Sequence, residues 1–90
     1  MILKGSITAP IEHIRRTKEL LDVHIKLTRS EEGCLLFEVK ESGDQQDVFE
    51  VYEVFDSLTS FEEHQIRTKQ SSWGKFTKDF QRSYEIIYKD

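Results

Sequence analysis

The hydrophobic pattern alternates between two periods along the 90 residues, and this alternation limits the folds that the chain can form. A period of two indicates a strand, and recurrence at three and four residues indicates a helix. Four segments have strand character: "ILKGSIT", "CLLFEVKE", "DVFEVYEVFD" and "SYEIIYKD". Residues 11–32, between the first and second of these, have helical character, as do "LTSFEEHQIRTK" and "WGKFTKDF", between the third and fourth. This order predicts a single α+β, ferredoxin-like βαββαβ domain over residues 1–90, with a four-stranded antiparallel sheet and the helices on one face.

Residues suited to caps and turns lie between these segments. Pro10 suits the first position of a helix, and Gly33 suits a left-handed stop after it. Ser57 can begin the next helix, because its hydroxyl can accept a hydrogen bond from a free amide of the first turn. The link "SGDQQ" is short and polar, which predicts a hairpin between the second and third strands.

Composition limits the possible partners and the location. The formal net charge is −4, and no broad basic surface is indicated, so nucleic acid is not an expected partner. No apolar run approaches the roughly 20 residues that span a bilayer, and the first residues lack the apolar core of a signal peptide. We therefore expect a cytoplasmic protein with no membrane partner.

The single cysteine, Cys34, cannot form an intramolecular disulfide, and no Cys and His set has the spacing of a structural zinc site. We expect no metal site. Cys34 begins the apolar run "CLLFEV" with no histidine beside it in sequence, so we interpret it as a small buried hydrophobic residue.

The strand "VFEVYEVF" has no purely polar face. Its odd-numbered positions place Glu53 among Phe49, Val51 and Phe55, and its even-numbered positions mix Tyr52 with valines and a glutamate. Because the helices cover only one face of the sheet, apolar side chains remain on the other face. This predicts a homodimer with sheet face against sheet face.

The first helix has two neighbouring rows of inward-facing candidates. At about 100° per residue, an apolar stripe contains Ile11, Ile14, Leu21 and Ile25. A second, partly polar row beside it contains His13, Thr17, Leu20 and His24. This row can line a ligand cavity, or it can be a helix flank in which His24 is an ordinary core histidine.

Three stretches, "EEGCLLFEV", "VFEVYEVFDSLTSFEEH" and "SSWGKF", are together similar to the pattern of the antibiotic biosynthesis monooxygenase domain family. The matching positions are Glu32, Gly33 and Cys34 at the helix-to-strand turn, Glu53 and Asp56 near the end of the third strand, Phe61 and His64 in the next helix, and Trp73 and Phe76 after it. The resemblance implies a dimeric α/β barrel with a pocket in each subunit between sheet and helices.

The resemblance implies several possible activities, and one compositional feature narrows them. The chain contains no asparagine, so it lacks the residue associated with the haem-degrading and anthrone-oxidising branches. The quinol-oxidising and autoinducer-processing types remain. We therefore predict a monooxygenase that acts without a cofactor on a quinol or a related small aromatic or polar compound. The alternative from another class is a ligand-binding or purely structural barrel without turnover.

Such an oxygenase needs a base that takes a proton from a phenol. Histidine suits this task because its ordinary pKa lies near neutral pH. His64 is our first candidate and His24 the second, with Glu53 orienting or polarising the base. The predicted substrate-binding side chains are His24, Trp73, Phe61, Thr17, Leu20 and Phe76. The aromatic residues among them have helical spacing that is also typical of a hydrophobic core.

Overall fold

The computed structural model of the protein describes residues 1–88 and confirms the ferredoxin-like order of elements. The four strands are β1 (Ile2–Thr8), β2 (Cys34–Glu41), β3 (Val48–Phe55) and β4 (Gln81–Ile87). The helices are α1 (Ile14–Arg29), α2 (Leu58–Gln70) and α3 (Ser72–Thr77), and a short 3₁₀ turn, Ile11–His13, precedes α1.

The strands form one antiparallel sheet in the order β2-β3-β1-β4. Leu3 lies opposite Glu53 and Ile7 opposite Phe49 across the β1–β3 pair, so these side chains share the face that the helices cover. Phe37 of β2 lies opposite Glu53 from the other side and is buried as well. The core therefore lies between this face and the helices, and one carboxyl group, that of Glu53, is buried in it.

The boundary residues act partly as the sequence predicts. The Ser57 hydroxyl accepts a hydrogen bond from the Ser60 amide at 3.1 Å and caps α2 as expected. The prediction for Gly33 was wrong, because its φ is not positive and α1 already ends at Arg29, with Ser30 as its C-cap. Gly33 is instead required for close approach: a Cβ atom there would lie 2.1 Å from the Ser60 hydroxyl at the start of α2.

Helix α1 buries an arc that includes residues of both predicted rows. Its buried residues are Thr17, Leu21, His24 and Thr28, whereas Ile11 is 66% exposed in the 3₁₀ turn. Leu21 of the apolar stripe is buried together with Thr17 and His24 of the partly polar row, and Ile14 and Ile25 of the stripe pack partly buried against the core. The polar residues of this arc meet other buried polar and aromatic groups beneath the helix, so the buried arc is wider than the apolar stripe alone.

The segment after α2 is helical for less of its length than predicted. Helix α3 ends at Thr77, so Phe80 lies in the turn before β4, where it packs partly buried against the core. The last strand begins at Gln81, before the predicted start at Ser83. The last two positions of the predicted strand, residues 89 and 90, lie outside the described residues.

The face of the sheet opposite the helices is open. It carries exposed Leu36 and Tyr52, each 38% exposed, beside charged residues. A broad hollow of about 670 Å³ lies on this face and is lined by charged residues of all four strands, among them Lys4, Glu38 and Glu85. Glu53 and Tyr52 point to opposite faces, as the alternation of the strand predicts. Within residues 1–88, no helix is long and apolar enough to cross a membrane.

Candidate active site

His64 lies on the inner face of α2, one turn after Phe61, and its side chain is almost completely buried. The Ser57 cap fixes where α2 begins and so fixes which residues of the helix face the sheet. The His64 ring packs beside the ring of Phe55, with 4.9 Å between centroids. Its two nitrogens face two carboxylates from different elements.

The closer carboxylate belongs to Glu31, in the turn between α1 and β2. The His64 Nδ1 atom lies 2.8 Å from Glu31 Oε1, and Arg67 donates to the same oxygen at 3.1 Å. Burial alone would raise the pKa of Glu31, but the hydrogen bonds from Arg67 and His64 lower it below its ordinary value. Because an ionised carboxylate only accepts, Nδ1 carries the ring proton and donates it to Glu31. Nε2 is then the free basic nitrogen.

The second carboxylate, Glu53, reaches the same ring from β3. Its Oε1 atom lies 3.7 Å from His64 Nε2 and has no hydrogen-bond partner among the described residues. Burial, together with the negative charge of Glu31, raises the pKa of Glu53 to about 7. The Thr68 hydroxyl also lies near Nε2, at 3.4 Å. The basic nitrogen of His64 therefore faces a carboxyl group that can be protonated at neutral pH.

His64 itself is held in its neutral form. Burial lowers its pKa, and the hydrogen bond with Glu31 only partly offsets this effect. A neutral imidazole with one nitrogen donating to a carboxylate has its other nitrogen available to accept a proton. This is the arrangement that a general base requires.

His24 and Trp73 form a wall beside His64. The His24 ring stacks on the Trp73 ring at 5.4 Å between centroids with an interplanar angle of 14°, and its centroid is 5.8 Å from that of His64. Burial, followed by the charges of His64 and Arg67, lowers the pKa of His24 to about 3. Its Nδ1 atom is buried without a hydrogen-bond partner among residues 1–88. His24 is thus neutral, flat and aromatic.

Trp73 reaches this wall because the chain breaks between α2 and α3. Ser71 caps α3 by accepting from the Gly74 amide, and its own hydroxyl donates to the Thr68 carbonyl. A Cβ atom at Gly74 would lie 1.9 Å from the Thr68 carbonyl oxygen. Only glycine therefore lets α3 approach the end of α2 closely enough to place Trp73 beside His24.

These groups surround a cavity of about 360 Å³ between the helices and the β1–β4 side of the sheet. His24, Glu53, His64, Thr68 and Trp73 contribute to its lining. The hollow on the open face is larger, but its titratable side chains are exposed. We assign the candidate site to the smaller cavity, because buried ionisable groups with shifted pKa values converge there.

The structure brings together four of the residues proposed from sequence: His64, Glu53, His24 and Trp73. The other four lie elsewhere. Thr17 is buried and donates to the His13 carbonyl, and Leu20 borders a separate recess of about 60 Å³. Phe61 packs against Phe55 in the core, and Phe76 packs between His13 and Phe80. None of these four lines the 360 Å³ cavity.

Sequence reasoning missed Glu31 and Arg67, which together position His64. Glu31 directly precedes Glu32, Gly33 and Cys34, which match the family pattern, so its position in the stretch "EEGC" was a signal that could have identified it. Arg67 lies one turn after His64 and bonds both Glu31 and the Thr28 hydroxyl, at 2.9 Å for the latter. Within the described residues, no group of three or more His, Cys, Asp or Glu side chains is arranged to hold a metal ion.

The antiparallel sheet with its helices on one face defines an α+β protein of the ferredoxin-like class, and a histidine–carboxylate cavity lies beneath the helices. Residues 1–73 match the antibiotic biosynthesis monooxygenase (ABM) family. The chain belongs to this family, which gives it a monooxygenase-like function in general terms. No curated protein sequence matches the chain significantly.

Solved structures support the fold. A candidate antibiotic biosynthesis monooxygenase from Bacteroides thetaiotaomicron is 14% identical, with a TM-score of 0.86 over 99% of this chain and 88% of the other. A second candidate monooxygenase of this kind, from Deinococcus radiodurans, is 24% identical, with a TM-score of 0.72 over 100% of this chain and 95% of the other. A conserved protein from Methanosarcina mazei is 18% identical, with a TM-score of 0.77 over 99% of this chain and 91% of the other. At these identities the likeness shows the shared fold.

Proposed function

We propose that the protein is a cofactor-independent monooxygenase that oxidises a hydroquinone or a related phenol in the 360 Å³ cavity. The observation that carries this proposal is the orientation of His64. Its Nδ1 atom is bonded to Glu31, and its Nε2 atom faces Glu53 and Thr68 in the cavity lining. The autoinducer-processing reaction would also use a polar small molecule, but the stacked rings of His24 and Trp73 favour a flat aromatic substrate.

The first step is removal of a phenolic proton by His64. The neutral ring accepts this proton at Nε2, and the resulting imidazolium is stabilised by the ionised Glu31 at Nδ1. Glu31 therefore has the positioning role that sequence reasoning gave to Glu53. Deprotonation makes the substrate an electron-rich anion, which can pass electrons to O₂ without a further reductant.

Glu53 has a separate role in this proposal. With a pKa of about 7, it is substantially protonated at neutral pH. A protonated carboxyl group does not repel the phenolate, and it can donate a hydrogen bond to it. Its position 3.7 Å from Nε2 leaves it next to the oxygen that His64 deprotonates.

The oxidation balances with O₂ as the only co-substrate. One oxygen atom forms a bond to a ring carbon, and the other leaves as water. The four electrons that O₂ accepts come from the hydroquinone, which becomes a hydroxyquinone. The two hydrogen atoms in the water come from the substrate.

We also propose that the protein is a homodimer that acts in the cytoplasm. The exposed apolar side chains of the open face, including Leu36 and Tyr52, support a contact between two sheets. This contact leaves the cavity on the helix-covered side of each subunit.

The proposed reaction is tested with ¹⁸O₂. Purified, metal-free protein is incubated with a panel of hydroquinones and hydroxynaphthalenes, and the products are analysed by mass spectrometry. The proposal expects one ¹⁸O atom in the product for each O₂ consumed, above the spontaneous rate. Oxygen uptake without label in the product would indicate an oxidase, and no uptake across the panel would contradict the proposal.

One observation favours a second candidate function, a barrel that binds a small molecule without turning it over. His64 is only 2% exposed and is contacted at both nitrogens, as a purely structural histidine would be. A binder of this kind would retain hydroquinones in equilibrium dialysis and show no catalysed oxygen uptake.

A further inference from the structure

We propose that the cavity selects aromatic substrates that carry a carboxylate, which three cationic side chains, Lys69, Lys78 and Arg82, hold at the mouth of the site. This inference deepens the proposed function and names the substrate class within it. It rests on the placement of charges around the cavity and not on the oxidation itself.

The three cations come from three different parts of the chain. Lys69 lies near the end of α2, Lys78 directly follows α3, and Arg82 lies in β4. All three are exposed, yet all three line the same cavity as the buried His64 and Glu53. In a chain with a net charge of −4, this convergence is a local excess of positive charge. The cations therefore mark an outer, solvated end of the cavity, and the proposed base marks its inner end.

Within the described residues, none of these three cations forms a salt bridge. The salt bridges there involve Lys18, His64 and Arg67 as the cationic partners, and none involves Lys69, Lys78 or Arg82. The acidic side chain that lines the cavity is Glu53, which is buried at the inner end. Among residues 1–88, an incoming carboxylate would therefore meet three positive charges without salt-bridge partners and no exposed carboxylate in the lining.

Arg82 is already oriented by the protein. Its Nη2 atom donates to the Thr77 hydroxyl at 3.0 Å, and its Nη1 atom lies 3.3 Å from the Phe80 carbonyl and 3.4 Å from that of Lys78. An arginine held in this way loses less side-chain freedom when it binds an anion, and its planar group can still share donors with a carboxylate. The lysines add charge without such a fixed geometry.

The arrangement fits a ring with two different ends. The ring would lie beside His24 and Trp73, its phenolic oxygen near His64, and its carboxylate toward the cations. A neutral hydroquinone of the same size would make the inner contacts but gain nothing at the outer end. A ring carboxylate that is not adjacent to the deprotonated oxygen is therefore the feature that distinguishes the preferred substrate.

The test compares a matched pair of probes, 2,5-dihydroxybenzoate and the neutral 2,5-dihydroxybenzamide. Binding is measured by isothermal titration calorimetry under nitrogen, so that no oxidation occurs. The proteins are the wild type, the double variant Lys69→Gln/Lys78→Gln, and the single variant Arg82→Gln. The control is Lys26→Gln, which removes an exposed charge from α1 that does not line the cavity. Arg82→Gln removes hydrogen bonds within the fold, whereas the double variant keeps them. A loss of affinity in the double variant therefore cannot come from a folding defect at Arg82.

We expect the wild type to bind the acid at least roughly tenfold more tightly than the amide, because charge-assisted contacts are stronger than neutral ones. In the double variant, the affinity for the acid should fall roughly fivefold to tenfold, while that for the amide changes less than about twofold. The preference should also weaken as salt is added. Equal affinities for acid and amide, a loss no larger than in Lys26→Gln, or no binding of either probe would overturn the proposal.

The outcome is independent of whether the protein is an oxygenase. Preference for the acid without oxygen uptake would support the charged mouth and remove the proposed reaction. Catalysed oxidation with no preference for the acid would do the reverse.

Discussion

Glu31 Oε1 lies 2.8 Å from His64 Nδ1, so a carboxylate in the turn after α1 sets the proton position on a histidine in α2. The two residues are 33 positions apart, and the contact is further fixed by Arg67, which donates to the same oxygen. This pair gives the cavity a neutral imidazole whose basic nitrogen faces Glu53 and Thr68 in the cavity lining.

Replacing Glu31 with glutamine should remove the charge that stabilises the His64 imidazolium. We expect kcat/KM on an accepted hydroquinone to fall roughly tenfold to a hundredfold, a loss within the range of general-base effects. NMR of the His64 ring nitrogens should show that the Nδ1–H tautomer is less populated. The matched control is Glu32→Gln, because Glu32 is exposed next to Glu31 in sequence. Equal activities and an unchanged tautomer in both variants would remove the positioning role of Glu31.

Glu53→Gln should change how stability depends on pH. The folded protein raises the pKa of Glu53 from 4.5 to about 7, so between these values the folded state holds more protons than the unfolded state. Stability contributed by this group is therefore lost as pH rises through that window, by up to about 3 kcal/mol. Glutamine does not titrate, so the variant should be more stable than the wild type at pH 8 and similar to it at pH 4.5.

Urea unfolding of both proteins at the two pH values measures this difference. Glu62→Gln is the control, because Glu62 is exposed on α2. If wild type and Glu53→Gln lose the same free energy of unfolding between the two pH values, the buried carboxyl is not the group that titrates.

Gly74→Ala should destabilise the protein and disturb the cavity wall. The new Cβ atom would lie 1.9 Å from the Thr68 carbonyl oxygen, so the end of α2 or the start of α3 must move. We expect a loss of about 1–3 kcal/mol, typical of overpacking, and a change in the fluorescence of Trp73. Gly43→Ala is a close control, because nothing lies within 4 Å of a Cβ atom there. Similar unfolding midpoints for the two variants would show that α3 does not need the close approach.

The proposed dimer should depend on the apolar side chains of the open sheet face. A Leu36→Lys/Tyr52→Lys variant places two charges on this face and should sediment as a monomer at micromolar concentration, where the wild type sediments as a dimer. Ile66→Lys is the control, because Ile66 is 60% exposed on α2. A monomeric wild type, or a dimer that survives the double substitution, would contradict the proposed interface.

The sequence predicted the order of elements well, because the strands and the first long helix have clear hydrophobic periods. The Ser57 cap and the opposite orientations of Tyr52 and Glu53 follow from local rules and are present in the structure. For α1, the sequence indicated an apolar stripe with a partly polar row beside it, but not which polar residues of that row are buried. Its buried arc contains Thr17, His24 and Thr28, and polar residues are buried only where a tertiary partner compensates them.

The site was predicted only in part, because some of its contacts form only when the chain folds. His64, Glu53, His24 and Trp73 meet at one cavity, and the family pattern pointed to three of them. Glu31 acts through a contact with α2 that only folding creates, and no period or spacing connects the two positions. The cations at the cavity mouth come from α2, the turn after α3 and β4, so their convergence is a tertiary property as well.

The central claim is that His64 is the base of an oxygen-dependent reaction. Its most direct test is the rate of oxygen uptake by wild type, His64→Ala and His13→Ala on the best hydroquinone of a panel, using metal-free protein. His13 is exposed and does not line the cavity, so its variant controls for the loss of a histidine. We expect uptake to fall roughly a hundredfold or more in His64→Ala and to stay near the wild-type rate in His13→Ala. Undiminished uptake in His64→Ala would contradict the claim.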